Sequence, residues 1–379
     1  MSGSLEPILF SVPCRAAQAP ENLARVINSD HVHGDGPFTK SASTKLVELT
    51  GSPTVLLTTS GTAALEMAVR LLGIAEGDEV ILPSFTFSSG ATSIVAAGGT
   101  PVFVDIEGHS GNIDPALVEA AITPKTKAIS VMHYGGVPVD MEAIMALSRR
   151  HNIPVIEDNA HGLAVSTKYG RLGTIGSVAI QSFHDTKNVH CGEGGAILIN
   201  DPALVEAAEI MREKGTNRSK FLRGQVDKYT WVEWGSSFLP SELNAAVLDA
   251  QLDEFDTIQE RRFAIWDTYK NGLESWANEN SAMLMSPADG VHAAHVFFVL
   301  MPSLEKRDAL LDYLRTNGVI GTFHYVPLHS SPAGIKYGRA HGSLEKTILF
   351  SERLVRLPLW PGMSQEQVSK VVLTVQQFK

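Results

Sequence analysis

Cysteine is nearly absent from this chain: Cys14 and Cys191 are the only two in 379 residues, and they stand far apart. That spacing excludes a disulfide framework or a thiolate zinc site, no metal is expected, and a reducing cytoplasm fits. No apolar run is long enough to cross a bilayer. Met1 to Pro13 also lacks the basic-then-apolar pattern of a signal peptide. The expectation is a soluble cytoplasmic protein with no membrane partner. Basic residues are short as well: 31 Lys and Arg against 41 Asp and Glu leave a net charge of −10. So acidic a chain makes a poor partner for nucleic acid, although an anionic small ligand would respond to local charge instead. Two glycine signatures are missing too. No G-x-G-x-x-G opens a strand-helix turn, which speaks against a nicotinamide dehydrogenase, and no Gly-Lys-Ser/Thr marks a Walker loop.

What is present looks like an enzyme. Apolar residues make up 44% and charged residues 19%, ordinary values for a soluble globular protein. The length suffices for a sizeable core and two domains. From residue 54 onward, short β-branched runs alternate with amphipathic helical patterns. Strands are expected at Thr54 to Thr58, Val80 to Leu82, Pro101 to Val104, Ala128 to Val131, Pro154 to Glu157, Val178 to Phe183 and Ala196 to Ile199. Helical patterns run from Gly61 to Leu72, to about Ala97, from Pro115 to Ile122 and from Met141 to His151. Nearly continuous apolar strands alternating with helices predict a mainly parallel sheet covered on both faces. One long helix is then expected from Ser241 to about Leu273. Beyond it come a strand at Ala294 to Met301 and helices at Leu304 to Asn317, Glu345 to Arg353 and Ser364 to Gln377. The expected division is a large α/β domain over residues 1–259, with the N-terminal segment, and a smaller α+β domain over 260–379.

Three constellations carry chemistry. In Thr59-Ser60-Gly61-Thr62-Ala63-Ala64, glycine permits a tight turn and the first helical amides have no intrahelical partner. Those amides, the Thr62 hydroxyl and the helix dipole make a phosphate cradle, though a plain cap by Ser60 is an alternative. In Val155-Ile156-Glu157-Asp158-Asn159-Ala160-His161-Gly162, Asp158 sits at the end of a buried parallel strand, where open α/β sheets bind ligands. Burial there requires a positive partner, which a protonated pyridine nitrogen would supply; a loop cap is the plainer role. His161 could hydrogen-bond a phenolic oxygen or the carboxylate. In Ser182-Phe183-His184-Asp185-Thr186-Lys187-Asn188, a lysine stands just beyond an apolar run. Desolvation there would lower its pKa and yield the neutral amine that imine chemistry requires. Ser182 could add to the phosphate site, and Glu193-Gly194-Gly195 suits a tight turn into the next strand. A phosphate-binding turn, a pyridinium-pairing aspartate and an imine-forming lysine together are what pyridoxal 5′-phosphate requires.

These three motifs, with Gly34-Asp35-Gly36-Pro37-Phe38-Thr39 and Phe323-His324-Tyr325-Val326-Pro327-Leu328-His329, resemble the nucleotide-sugar aminotransferases of the DegT/DnrJ/EryC1/StrS family. The resemblance covers nearly the whole chain. It implies the type I, aspartate aminotransferase-like fold and a homodimer with active sites shared across the subunit interface. Lys187 would be the catalytic lysine that holds the cofactor and moves the proton. Asp158 would pair with the pyridinium nitrogen, and Gly61, Thr62 and Ser182 would bind the phosphate. Phe87, in Ser84-Phe85-Thr86-Phe87, matches the ring that stacks on the cofactor, and His161 would lie near its phenolic oxygen. Many members carry a Tyr-Asn pair whose asparagine reaches the partner subunit's cofactor. Here the stretch is Gly235-Ser236-Ser237-Phe238-Leu239, and Ser237 offers a shorter hydrogen-bonding group.

The same resemblance implies a substrate. The segment Arg212-Glu213-Lys214-Gly215-Thr216-Asn217-Arg218-Ser219, with Arg223 to Trp231, points to members that aminate C4 of dTDP-4-keto-6-deoxy-D-glucose. L-glutamate would be the donor, with pyridoxamine 5′-phosphate as the cofactor's intermediate form. Arg218, Lys220 and Arg223 could pair with the nucleotide diphosphate or be a solvated loop. His324 and His329 lie in a segment the family places near the sugar. Amination at C3 of a dTDP-3-keto-6-deoxyhexose is the alternative. A sugar dehydratase of this fold carries histidine at the lysine position, so Lys187 speaks against it. A non-catalytic sensor would have no need of the complete set Thr62, Asp158 and Lys187.

Overall fold

The computed structural model describes residues 6–379. The β-branched runs become strands: β1 Thr54–Thr58, β2 Glu79–Pro83, β3 Thr100–Val104, β4 Thr126–Met132 and β5 Val155–Asp158. A short hairpin, β6 Ser166–Thr167 and β7 Gly170–Arg171, precedes β8 Val178–Ser182 and β9 Gly195–Ile199. The C-terminal part adds β10 Met283–Leu284, β11 Phe298–Leu300, β12 Arg339–Ala340 and β13 Leu354–Arg356. The large sheet has eight strands in the order β1-β9-β8-β5-β4-β2-β3-β12. Only β9 runs antiparallel to its neighbours. The mainly parallel α/β sheet expected from the sequence is therefore the observed one.

Alternation along the strands assigns each face its cover. Val80 and Leu82 pack with Ala64, Leu65 and Ala68 of the helix Gly61–Leu71. Ile81, between them, points the other way into a cluster with Val118 and with Ile144 of the helix Met141–His151. Both β2 and β9 are buried along their whole length. Each fully buried aliphatic side chain stabilises the fold by about 1.5–3 kcal/mol, so this two-sided cover makes the sheet a rigid platform. The helix Gly61–Leu71 ends as the sequence predicts, with Gly73 at φ +71° just beyond it.

Because β1, β2, β4, β5 and β8 share one direction, the loops that leave them emerge at one edge. That edge carries Ser60 to Thr62, Ser84 to Ser89, Asp158 to His161 and Phe183 to Lys187. The smaller sheet, β10-β11-β13, is antiparallel. Its core is continuous with Phe85 and Tyr134 of the large sheet's loops and with Met132 at the end of β4.

Several elements differ from the sequence expectation. The single long helix is two, Glu242–Asp253 and Phe255–Glu279, with Glu254 between them at φ −99°, ψ 8°. Residue 260, the expected division, lies inside the second of these. The strand expected at 294–301 shortens to Phe298–Leu300, since Ala294 takes φ +46°, which no strand accommodates. β12 has no apolar pattern to announce it; Arg339 pairs bidentately with Glu79, both contacts at 2.8 Å, and adds an edge strand beside β3. At the N-terminus, Ile8 pairs with Val319 and is buried in the C-terminal core. Among the described residues, no helix is long and apolar enough to cross a membrane.

Candidate active site

A cavity of about 630 Å³ opens at the edge where the loops gather, lined among others by Thr62, Asp158, His161, Ser182, Lys187 and His324. Lys187 reaches it from a loop closed on itself. Phe183 N donates to Gly194 O at 2.8 Å, Cys191 N to Phe183 O at 3.0 Å, and Lys187 N to His184 O at 2.9 Å. The next residue ties this loop to the C-terminal part: Asn188 Nδ2 donates to Gln259 Oε1 at 2.6 Å and to Ala293 O at 2.9 Å. Burial lowers the Lys187 pKa to about 8, with Asp158 opposing the shift and Arg356 adding to it. An amine with that pKa is partly neutral near physiological pH, as nucleophilic chemistry requires.

Glu157 and Asp158 are consecutive in β5 and point to opposite faces, which gives them opposite fates. The Glu157 carboxylate receives the amides of Gly173, Ile175 and Gly176 at 2.6–2.9 Å and His133 Nε2 at 3.0 Å. Burial pushes it up, but the histidine and the amides outweigh that and hold it below the usual glutamate range. Among the described residues, the Asp158 carboxylate accepts only the Ala160 amide, at 3.1 Å. Burial raises its pKa above the ordinary aspartate value, against the pull of the Ala160 amide and the Lys187 charge. A buried carboxylate with unused lone pairs facing a cavity is suited to a cationic N–H from a ligand.

The Ser60-Gly61-Thr62 turn meets the end of β8 so closely that a Cβ on Gly61 would stand 2.9 Å from Ser182 Cβ. Gly195 lies beneath them, where a Cβ would come 2.4 Å from the Ser60 carbonyl carbon. Ser60 Oγ accepts the Ala63 amide at 3.0 Å, so the plain capping role is real. It leaves the Gly61 and Thr62 amides without intrahelical acceptors. Thr62 Oγ1 stands 2.6 Å from Ser89 Oγ. Hydroxyls from Thr62, Ser89 and Ser182 therefore surround a helix N-terminus, a fit for a phosphate.

Three imidazoles line the opposite wall. His161 Nδ1 accepts the Gly135 amide at 3.2 Å, so the neutral ring carries its proton on Nε2. Burial holds its pKa well below the ordinary histidine value, with the Lys187 charge acting in the same direction. His161 stacks on His295 at 4.0 Å between ring centroids. His295 Nδ1 lies 2.8 Å from Asn188 Oδ1; since Asn188 uses its amide protons elsewhere, His295 is the donor. His324 Nδ1 lies 3.0 Å from the Tyr134 hydroxyl. Phe87 lies on the wall with its ring 56% exposed.

The other sequence candidates lie off this cavity. Ser237 is exposed and bridges to Glu213. Arg218 sits near Asp35 and Glu213, Lys220 pairs with Glu206 at 2.6 Å, and Arg223 holds both Glu209 oxygens at 2.7–2.8 Å. His329 Nδ1 lies 2.7 Å from Ser84 Oγ, pinning the loop after β2. Sequence reasoning missed His295, Tyr325, Ser89 and Arg356, all on the cavity wall. Two of them had a signal: Ser89 closely follows the Ser84-Phe85-Thr86-Phe87 motif, and Tyr325 lies within the Phe323 to His329 segment.

Residues 13–376 match the DegT/DnrJ/EryC1/StrS aminotransferase family. The chain belongs to that family. The chain is similar to the aminotransferase TlmJ from Streptoalloteichus hindustanus, 30% identical, with 98% of each chain covered and a TM-score of 0.89. DesV from S. venezuelae, solved in complex with a ketimine intermediate, is 33% identical over 95% of this chain and 94% of its own, with a TM-score of 0.86. The putative sugar aminotransferase Spr1654 from Streptococcus pneumoniae, in its PLP form, is 25% identical with 98% of each chain covered and a TM-score of 0.89. The protein is a pyridoxal phosphate-dependent aminotransferase of the DegT/DnrJ/EryC1/StrS family. The open lone pairs of Asp158, the hydroxyl-lined helix start and the Lys187 amine fit that cofactor.

Proposed function

We propose that this aminotransferase acts on a nucleotide sugar, converting dTDP-4-keto-6-deoxy-D-glucose to a dTDP-4-amino-4,6-dideoxyhexose with L-glutamate as donor. The observation that carries an amino-transfer reaction is the lysine of lowered pKa sharing one cavity with a buried carboxylate that, among the described residues, accepts only the Ala160 amide. Similarity to a putative sugar aminotransferase supports a sugar as the acceptor.

Bound pyridoxal phosphate supplies an electron sink that stabilises negative charge at the substrate carbon. In this proposal Lys187 anchors the cofactor, and its freed amine then takes and returns the proton at the reacting carbon. Asp158 keeps the pyridine nitrogen protonated, and His161 donates from Nε2 toward the phenolic oxygen. Gly61, Thr62 and Ser182 hold the phosphate, and Phe87 covers the ring. His324 would meet the hexose.

A homodimer and a cytoplasmic location belong to the same proposal. Trp231 is 77% exposed and Tyr229 55%, in the stretch that also carries the basic residues. Exposed aromatics of that kind favour a protein contact. Ser237, Arg218, Lys220 and Arg223 would then serve the shared site from across the subunit boundary, and His329 would stand near the sugar with His324. Incubation with dTDP-4-keto-6-deoxyglucose and glutamate, with NMR assignment of the aminated carbon, tests the substrate. Amination at C4 supports it; no product with that sugar, or turnover of a dTDP-3-keto-6-deoxyhexose in its place, overturns it. Sedimentation of a monomer at assay concentration would remove the shared-site reading.

A further inference from the structure

Ala294 adopts φ +46°, a left-handed backbone that a residue with a Cβ keeps only where its surroundings hold it there. Arg262, buried on the helix Phe255–Glu279, does much of the holding. Its Nε donates to Ala294 O at 3.0 Å and its Nη2 to His295 O at 2.7 Å, and burial lowers its pKa to about 9. His292 Nδ1 accepts the Ala294 amide at 3.0 Å, while Asn188 and Gln259 both donate to Ala293 O. On its other side the segment meets two glycines. A Cβ on Gly136 would stand 2.4 Å from Ala293 Cβ, and one on Gly135 would stand 2.9 Å from Val296 Cγ2. A strained residue and a buried guanidinium both oppose folding. Their retention points to what this backbone presents.

It presents the His295 ring. Nδ1 of that ring donates to Asn188 Oδ1 at 2.8 Å, one residue beyond Lys187. Its face lies on His161, with 4.0 Å between centroids and 27° between planes. Burial holds both imidazoles well below the ordinary histidine pKa, and the charges of Lys187 and Arg356 act in the same direction. The stack is therefore of two neutral rings. The Gly135 amide at His161 Nδ1 decides which nitrogen of His161 carries the proton. It does not fix the ring plane, because the outer torsion of histidine is broad. A second ring lying on the face of the first removes that freedom.

We infer that His295 is a positioning residue: stacked on His161 and tied to the Lys187 loop through Asn188, it keeps the His161 Nε2–H on a fixed line into the cavity. The inference rests on the proposed role of His161 toward the cofactor's phenolic oxygen. Nitrogen NMR of the cofactor-free wild type tests it first, with the two rings assigned by their loss in His161→Phe and His295→Phe. His161 should be protonated on Nε2 alone and His295 on Nδ1 alone; a reversed or mixed tautomer of either ring overturns the inference. His295→Asn keeps a donor near the Nδ1 position and removes the ring face. Its His161 signals should broaden as that ring swings, and unchanged signals overturn the inference. If H295N fails to fold, the wild-type tautomers decide.

The loaded enzyme supplies the second test. A donor at the phenolic oxygen stabilises negative charge there and eases deprotonation of the lysine-bound cofactor, so its loss raises the pH midpoint of the absorbance change. H161F should raise that midpoint by at least about one unit and H295N by at least about half a unit. H295F restores a ring face and should move it less than H295N. Because His161 faces the cofactor in both half-reactions, H295N should slow each by a common factor of about ten, with both KM values within about twofold of wild type. An unmoved H295N midpoint beside a raised H161F midpoint sinks this inference alone. An unmoved H161F midpoint sinks the reading of His161 and this inference with it. Slowing confined to one half-reaction would give His295 to a substrate and overturns the positioning role.

Discussion

Asp158 ends β5, Lys187 follows the neighbouring strand β8, and each charge offsets part of what burial does to the other. Burial pushes the aspartate up and the lysine down, while their mutual attraction favours both charged forms. The pair thus has a tunable protonation state where a fully exposed pair would simply be charged.

Lys187 should titrate with a midpoint near 8 in cofactor-free protein, read by pH-dependent amine labelling. Asp158→Asn removes an attractive charge and should move that midpoint down. An upward move would refute this account of the pair. The stability sign follows from the depressed value: the unfolded chain holds the proton more tightly, so this group's contribution rises from about pH 8 to the ordinary 10.5. Lys187→Met should flatten that rise, and Lys187→Ala should abolish turnover in a protein that still folds.

Gly61→Ala should cost about 1–3 kcal/mol through overpacking against Ser182 and weaken cofactor binding, measured by melting and fluorescence titration. Adding Ser182→Gly removes the opposing Cβ and hydroxyl. The double variant should regain stability without regaining affinity. Recovery of both would mean that the Ser182 hydroxyl contributes nothing to the phosphate.

Glu157→Gln should destabilise the fold by about 3 kcal/mol, because one buried acceptor oxygen is replaced by donors facing amides. Its folded pKa lies below the ordinary 4.5. Its stabilisation is therefore complete above that value and is lost as pH falls through the folded pKa. Acid-unfolding curves of the variant should be shallower in that window. Identical curves would mean that Glu157 does not couple to folding.

Glu242→Gln tests a second buried carboxylate, far from the chemistry. Its oxygens accept the amides of Gly36, Phe38 and Thr39 at 2.8–3.1 Å, together with the Thr39 hydroxyl. Loss of the charge should cost about 2 kcal/mol and speed hydrogen exchange at Phe38 and Thr39. The Lys187 midpoint should stay where it is.

The strands were legible because a two-sided sheet requires unbroken apolar runs, and β2, β8 and β9 have them. Lys187, Asp158 and Thr62 were legible because each stands within a few residues of the apolar part of a strand. Local pattern could not reveal β12, whose place is set by Arg339 reaching Glu79, 260 positions away. His295 and Arg356 were invisible for the same reason. They meet the cavity only through pairing within the smaller sheet and packing between it and the larger one. The break at Glu254 escaped notice because both flanking helices keep an apolar face through it.

Leu9 and Trp360, 351 positions apart, share a hydrogen bond beside the cavity, where Phe10 and Leu359 both form part of the wall. During synthesis the first of these residues leaves the ribosome long before the second exists. Strands β1 to β9 can pair before the later segments exist, but the wall around the lysine closes only once Leu359 and Trp360 have been made. The wall around Lys187 thus waits for the segment carrying Leu359 and Trp360, and a chain without that segment leaves the lysine uncovered.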